Sequence, residues 1–388
     1  MMTKSRFIGP FPLCWICSFL LIASNLIFAG EVQDDGFPEK PETLVPDHLN
    51  WQEMTLPEEK AKIFSIISNN AEANYQKIKT WEASYKMGFH CCYKRSPYKK
   101  EKGVIVFAID MINDNLNWFY HCEECFLYTP ERPNLWIWES SPETASISGL
   151  HLIFRPESIL CLNTLQTFSA RVEEIPDYEI KDKKIARQIS SQAIDRSPVS
   201  ERSDPRFFFC FNKSNKWEKY WGEYLKIAHG LTGNDEELKG RLDRRYRVYQ
   251  CLDQNNTWYS IEEYTTSRKS KLRKRTFSGT SGFNIVENTE YYPGDSTVLS
   301  LRQWNWKKSN NIFIPQKYNF YISPVNSLIS YELLDSKLNS PIPLSRFTYE
   351  GLSLTEGDIL LNDMEKKAYI TKKNGKIVSL CNYGESPK

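Results

Sequence analysis

The sequence predicts an α+β fold in which most of the chain forms mostly antiparallel β-structure packed against two helices. Aromatic residues make up 14% of the chain, with 11 Trp, 21 Tyr and 21 Phe, and large rings favour the pleated surface of a sheet. Near the N-terminus, a segment of helical periodicity leads directly into a strictly alternating segment. Short alternating or apolar runs, separated by turn residues, then continue to the end of the chain, as in a meander of strands.

The first 29 residues have the layout of an export signal. Lys4 and Arg6 precede a long apolar stretch over 11–29 that ends in a small residue, and a polar segment follows. This order of charged, apolar and small residues is typical of a signal peptide. The alternative is a retained membrane anchor, because the apolar run is nearly long enough to span a bilayer. We therefore expect an exported protein of the periplasm or cell envelope.

The remainder of the chain is predicted to form one domain behind a short leader. Residues 30–54 are polar and contain several prolines, which indicates a flexible leader. Residues 55–388 are expected to form a single domain with a polar and helical insertion at about 140–240. The net charge of the whole chain is +2, and Lys4 and Arg6 alone carry that much. The mature part is thus close to neutral, which argues against nucleic acid as a partner.

The first helix is predicted over 57–79. Thr55 and Glu58 have the spacing of a capping box, and Pro57 suits the first helical turn. Apolar residues then recur at helical spacing along one face. From Thr80 the period changes to two, which predicts a strand over 80–93. Because the change is abrupt, we expect the helix to pack against the sheet that it leads into.

Further elements follow at short intervals. A short helix is expected near 186–193, and a second amphipathic helix begins at Trp217 and is closed by Gly230. Turn residues at 253–256 and 309–311 predict hairpins, which make the sheet antiparallel. Pro315 indicates a sheet edge or a bulge. The remaining strands are predicted at 103–111, 116–122, 125–129, 135–138, 151–154, 207–211, 245–252, 257–264, 271–278, 282–291, 297–306, 312–322, 328–334, 359–361, 368–371 and 376–380.

Two groups of His and Cys residues lie about 30 positions apart, at 90–92 and 121–125. His121, Cys122 and Cys125 are candidate zinc ligands, because imidazole and thiolate bind zinc tetrahedrally. Disulfides and buried thiols are the alternatives, and the exported compartment favours disulfides. We therefore predict neither a metal nor another cofactor.

A dense basic run occupies 268–275. Lys271, Arg273 and Arg275 are candidates for an anionic surface contact, such as a lipid head group or a phosphate-bearing polymer of the envelope. The alternative is a solvated strand edge that its charges protect against unwanted pairing.

Catalytic motifs are not evident in the sequence. It contains no G-x-S-x-G, no H-E-x-x-H and no phosphate-binding Gly-rich loop. Its paired carboxylates are adjacent in sequence, so on a strand they point to opposite faces and form no acid–base dyad. The prediction is a protein that is not an enzyme, although distant residues can converge in a fold.

Aromatic residues on two predicted strands could line a concave cavity. Trp81, Tyr85 and Phe89 share one face of the first long strand, and Trp304 and Trp306 lie on a late strand. Such a cavity suits an acyl chain or a sugar. A core filled by these rings is the alternative.

Four further segments are informative together with the order of elements: 71–81 (AEANYQKIKTW), 281–285 (SGFNI), 310–315 (NNIFIP) and 351–358 (GLSLTEGD). In these segments and in the order of its elements, the chain resembles the lipoprotein-carrier family, the LolA/LolB-like superfamily. The resemblance implies a long antiparallel meander that curls around helices as an unclosed barrel. It transfers no ligand-binding residue to a position in this chain.

The function that follows is an exported binding protein for a lipid or another apolar or amphipathic ligand. Its expected partners are a lipid or lipid-modified protein, or a polymer of the envelope, with at most a peripheral contact to the membrane. A structural or interaction module of the cell envelope is the first alternative. An exported hydrolase is the second alternative, and it would need a catalytic group that the sequence does not reveal.

Overall fold

A computed structural model describes most of the predicted domain. The predicted export signal at 1–29 and about half of the predicted insertion at 140–240 lie outside the described residues. Within the described part, none of the helices combines the length and the apolarity that crossing a membrane requires. The described ranges are 39–91, 98–132, 135–140, 151–155, 158–166, 186–193, 205–209, 220–265, 270–352, 354–362 and 365–382.

The described elements are strands for the most part. The α-helices are α1 (Pro57–Gln76), α2 (Tyr220–Thr232) and α3 (Glu236–Arg245). Short 3-10 segments occur at Gly279–Ser281, Ser323–Val325, Leu344–Phe347 and Tyr349–Leu352, and a further one at Pro205–Phe209 is called the 3-10 turn below. The strands are β1 (Gln52–Met54), β2 (Thr80–Cys91), β3 (Tyr98–Asp110), β4 (Asn115–Arg132), β5 (Leu135–Ser140), β6 (His151–Arg155), β7 (Ser158–Gln166), β8 (Ala186–Ala193), β9 (Tyr246–Asp253), β10 (Asn256–Tyr264), β11 (Lys271–Ser278), β12 (Ile285–Tyr291), β13 (Val298–Ser309), β14 (Ile312–Ile322), β15 (Ser327–Leu338), β16 (Ile359–Asn362), β17 (Lys367–Thr371) and β18 (Ile377–Asn382).

The described strands form one curved sheet that is not closed, which confirms the predicted fold class. Strands β9 to β15 pair in chain order, and β1 adds to β9. Strand β15 then pairs with β2, so the two halves of the chain join in the middle of the sheet. Strands β3, β4, β6, β7 and β8 continue the order, and β5 pairs with the far part of β4. The pair of β8 and β16 is parallel, and β17 and β18 follow.

The inner face of the sheet packs against α1, α2 and the 3-10 turn. Phe64 of α1 is fully buried, and its ring meets Tyr224 of α2 and Tyr246 of β9 edge-on at centroid distances of 5.1 and 5.5 Å. Burying one such side chain contributes roughly 1.5–3 kcal/mol to folding. Helix α1 therefore lies against the sheet that it leads into, as its amphipathic pattern predicts.

Two segments cover parts of the outer face. Residues 342–352 pack on β3, β4 and β6, with Phe347 buried among apolar residues. Residues 39–51 pack on β9, β10 and β12 through Val45 and Leu49. The leader is also held by hydrogen bonds, because the Thr43 hydroxyl and the Leu44 N–H both donate to Glu287. Its described part therefore differs from the flexible leader that its composition predicts.

Helix α2 does not end at Gly230 as predicted. It continues to Thr232, and Gly230 instead allows α3 to approach closely, since a Cβ there would lie 2.4 Å from Cδ1 of Leu242. Helix α3 itself was not predicted. Its signals are local: the Asp235 side chain accepts a hydrogen bond from the Leu238 N–H, and basic residues occupy the last turn.

Two other predicted elements are wrong. The short helix expected near 186–193 is strand β8, because β7 and β16 supply hydrogen-bond partners on both of its edges. Where the sequence predicts a strand at 207–211, the structure has the 3-10 turn Pro205–Phe209. Adjacent residues on a strand would point to opposite faces, whereas Phe208 and Phe209 are both buried in the same core.

Local turn chemistry, in contrast, is confirmed. Asn310 and Asn311 both have positive φ, at 49° and 60°, and join β13 to β14 in a tight hairpin. Asn tolerates this left-handed conformation better than most residues. The register of β13 and β14 shifts at Trp306, which faces Pro315, so the predicted bulge lies at this proline.

Candidate functional site

The inner face of the sheet brings the predicted aromatic residues into one cluster. Trp81, Tyr85 and Phe89 of β2 are buried there with Trp304 of β13. Trp306 is half-buried at the edge of the same cluster, and its indole N–H donates to the carbonyl of Ile285 at 2.6 Å. The alternation of β2 places its three aromatic side chains on the same inner face of the sheet, with Tyr85 between the other two.

The 3-10 turn places two phenylalanine rings beside Tyr85 and Trp81. Phe208 lies 5.4, 5.2 and 5.3 Å from the ring centroids of Tyr85, Tyr318 and Tyr331. Phe209 lies 5.6 Å from the ring of Trp81 and 5.8 Å from that of Trp306. The chain therefore supplies its own apolar groups to the space between the sheet and the helices.

The space that remains beside Phe208 is small. A cavity of about 10 Å³ is lined by Tyr85, Ile105, Phe107, Trp118, Pro205, Phe208 and Tyr331. This volume is near the minimum that one water molecule needs. In this conformation the aromatic residues pack against one another, so their role in lining a ligand site stays a prediction.

Beside this aromatic cluster, the inner face of the sheet becomes polar. The strand register places Asn288 of β12 directly between Arg275 of β11 and Arg302 of β13. We name these three residues the arginine–asparagine row. All three are buried. Ile261 and Phe320 flank the row at its two ends.

A second polar row lies next to the first. Glu263, Arg273, Glu290 and Ser300 follow one another across β10 to β13. Arg273 lies 3.6 Å from each of the two glutamates, and Arg245 lies 2.6 Å from Glu263. The Ser300 hydroxyl donates to Glu290 at 3.1 Å. The carboxylates of this row are thus held by neighbouring donors.

The pKa values of two buried groups, Glu263 in the second row and Tyr224 beside Arg275, are shifted in opposite directions. Burial acts to raise the pKa of Glu263, but Arg273 and Arg245 outweigh it, so this pKa lies below its ordinary value. Burial raises the pKa of Tyr224 to about 12, against the opposing charge of Arg275. The Arg275 guanidinium donates to the Tyr224 hydroxyl at 2.9 Å and therefore anchors α2 to the polar part of the sheet.

The basic run at 268–275 does not form one surface in its described part. Lys271 points to the outer face and binds Glu262 at 2.5 Å. Arg273 and Arg275 point to the inner face, and Arg275 is only 4% exposed. Arg275 therefore cannot act as a surface contact in this conformation, because strand alternation directs it toward α2.

The His and Cys groups lie apart from each other. Strand β3 lies between β2 and β4. His90 is paired with Lys100 of β3, and His121 is paired with Val104, four residues further along β3. His121 is exposed, whereas Cys122 points into the core. No group of three metal-binding side chains occurs among the described residues. Cys251 is a buried free thiol, and the side chains of Cys92, Cys125, Cys161 and Cys210 lie outside the description.

Sequence patterns alone missed the arginine–asparagine row and the two central phenylalanines. Residues 287–290 are four polar residues in succession, and all are buried. A polar run within a predicted strand indicates that both faces of that strand need polar partners. The partners themselves lie on other strands and are not visible in the local sequence.

Comparisons with known proteins find similarity only in structure. No protein-family model matches this chain, and no curated protein matches it. A LolA superfamily protein from Nitrosomonas europaea is similar at 11% identity, with a TM-score of 0.34 over 74% of this chain and 97% of that one. A DUF1329 family protein from Desulfovibrio piger is similar at 8% identity, with a TM-score of 0.34 over 76% and 99%. A domain described as an outer membrane lipoprotein-sorting protein, from Vibrio parahaemolyticus, has 10% identity and a TM-score of 0.33 over 76% and 100%.

Proposed function

We propose that this chain is an exported, non-enzymatic binding protein of the cell envelope that takes up the apolar part of a lipid or another amphiphilic ligand. One observation carries the proposal. Phe208 and Phe209 lie at the centre of an aromatic cluster on the inner face of the sheet, on a turn of only five residues. An acyl chain in their place would meet the same apolar surface.

Replacing Phe208 and Phe209 by a bound acyl chain is energetically favourable when enough methylene groups are buried. Each buried CH₂ group contributes about 0.8 kcal/mol, and micromolar affinity corresponds to about 8 kcal/mol. Ten or more methylene groups therefore supply roughly the required free energy, before the loss of the Phe208 and Phe209 contacts is subtracted. The requirement applies to the total over all acyl chains, so a ligand with fewer methylene groups in total would bind weakly.

A structural or interaction module of the envelope is the second candidate. The dense packing around Phe208 supports it, because the cavity beside that ring is only about 10 Å³. In this alternative the aromatic cluster serves stability alone, and a partner such as a lipid-modified protein or an envelope polymer binds elsewhere on the surface.

Native mass spectrometry of the full chain with dioctanoylglycerol distinguishes the two candidates. A binding protein should form a lipid complex, and Phe208→Ala should bind more tightly because the removed ring leaves an apolar cavity. The matched control is Phe347→Ala, the same truncation in the cluster on the outer face, and its affinity should equal that of the unchanged protein. Absence of binding in both the unchanged protein and Phe208→Ala would reject the proposal in favour of the module.

A further inference from the structure

The arginine–asparagine row contains a side chain whose hydrogen-bonding capacity is unused by the described residues. Asn288 is 1% exposed, and neither its amide oxygen nor its amide nitrogen has a hydrogen-bond partner among them. Leaving such a group unsatisfied costs about 1–3 kcal/mol. Native proteins therefore retain few of them, and each one requires an explanation.

The neighbours of Asn288 indicate what kind of group would satisfy it. Arg275 and Arg302 lie beside it on the two adjacent strands and face the same side of the sheet. Guanidinium groups bind phosphate and carboxylate oxygens through paired, charge-assisted hydrogen bonds. Between two of them, the Asn288 amide nitrogen would donate to an anionic oxygen, and its amide oxygen would accept from a hydroxyl group.

We propose that the arginine–asparagine row binds the phosphate head group of an amphiphile whose apolar part occupies the adjacent aromatic cluster. This inference rests on the proposed function and names its ligand class. A phosphate monoester fits the row because it offers both anionic oxygens and, in its singly protonated form, a hydroxyl. Phe320 at the end of the row stacks on Arg302, with 4.4 Å between the guanidinium carbon and the ring centroid, and fixes that guanidinium in place.

A head group would reach Asn288 from the side of the second polar row, because solvent exposure is higher there. Solvent exposure increases from the arginine–asparagine row toward Arg273, whose side chain is 24% exposed, and Arg245, whose side chain is 40% exposed. Both arginines are held by Glu263. An anion entering at this edge would meet arginine side chains first and would then reach the buried row.

Calorimetry on the full chain tests the inference, with dioctanoyl phosphatidic acid, dioctanoylglycerol and inorganic phosphate as probes. We expect phosphatidic acid to bind at least about tenfold more tightly than dioctanoylglycerol, which corresponds to one charge-assisted contact. Asn288→Asp places a carboxylate between the two arginines and should abolish this difference, while dioctanoylglycerol affinity stays unchanged. Lys274→Gln is the control, because Lys274 lies one residue from Arg275 on the opposite face of β11, and the difference should persist.

The outcomes separate this inference from the proposed function. Equal affinity for the two lipids, or an unchanged preference in Asn288→Asp, overturns the inference and leaves acyl binding intact. Asn288-dependent binding of inorganic phosphate without any lipid binding supports the anion site and overturns the proposed function. Should Asn288→Asp fail to fold, Asn288→Leu provides the same test, since it removes both unsatisfied amide atoms without adding a charge.

Discussion

The side-chain amide of Asn74 forms two hydrogen bonds to the backbone of Phe313. The amide nitrogen donates to the Phe313 carbonyl at 2.9 Å, and the amide oxygen accepts from the Phe313 N–H at 2.7 Å. Phe313 lies in the part of β14 that precedes its pairing with β15. Asn74 thus acts in place of a neighbouring strand and joins α1 to the sheet. Two residues further along β14, the Tyr85 hydroxyl donates to the Pro315 carbonyl at 2.6 Å and likewise takes the place of a neighbouring strand.

Replacing Asn74 should destabilise the protein measurably. In Asn74→Ala the Phe313 N–H and carbonyl lose their partner, and we expect the free energy of unfolding to fall by about 2 kcal/mol in urea denaturation. Asn70→Ala is the control, because Asn70 is exposed on the same helix and only donates to the carbonyl of Ile66. Its effect should stay within about 0.5 kcal/mol. Equal effects of the two substitutions would contradict the role of Asn74.

Two glycines of α2 should respond to alanine in opposite directions. Alanine at Gly222 meets no described atom within 4 Å, so Gly222→Ala should raise the free energy of unfolding by up to about 1 kcal/mol through helix propensity. Gly230→Ala should lower it by about 1 kcal/mol, because overpacking against Leu242 outweighs the same gain. The double variant Gly230→Ala with Leu242→Ala should recover part of this loss. Thermal unfolding of all variants measures these effects, and a stabilised Gly230→Ala would show that α3 can move away.

The pH dependence of stability should include a contribution from Glu263. Its pKa is held below the ordinary value of 4.5 in the folded state by Arg273 and Arg245. The unfolded chain therefore binds a proton at a higher pH than the folded protein does. The stabilisation is complete above about pH 4.5 and is lost as the pH falls through the folded pKa.

Glu263→Gln measures that contribution. Urea denaturation between about pH 5 and 3 should show a shallower loss of stability in this variant than in the unchanged protein. The remaining slope would reflect other carboxyl groups with lowered pKa values, among them Glu262 beside Lys271. An identical slope in the variant would mean that Glu263 keeps an ordinary pKa in the folded protein.

Because residues 39–51 pack on the outer face of the sheet, we predict unequal effects of substitutions at two leucines of this segment. Leu49 is 7% exposed against the outer face, whereas Leu44 is 40% exposed. We expect Leu49→Asp to lower the free energy of unfolding by about 2 kcal/mol and to make 39–51 a site of rapid proteolysis. Leu44→Asp should change neither property. A leader that is cleaved equally fast in both variants and in the unchanged protein would contradict docking.

Several elements could be derived from local sequence because their causes are local. Helix α1 follows from the spacing of its apolar residues, and the hairpin at Asn310 and Asn311 follows from the tolerance of Asn for positive φ. The cap of α3 at Asp235 is a signal of the same kind. These features depend on hydrogen bonds and steric limits within a few residues, which the order of amino acids states directly.

Only the tertiary structure decided which groups meet on the inner face of the sheet. Asn288 lies between Arg275 and Arg302 because three strands pair in one register. Phe208 and Phe209 form a 3-10 turn and not the predicted strand, because both rings are buried in the same core. Sequence alone determined the helix, the hairpins and the alternating strands of this protein. Strand register and burial depend on contacts between residues far apart in the chain, whose combined free energy overrides local propensity. The buried position of Arg275, within a basic run that the sequence suggests to be exposed, follows from that physical cause.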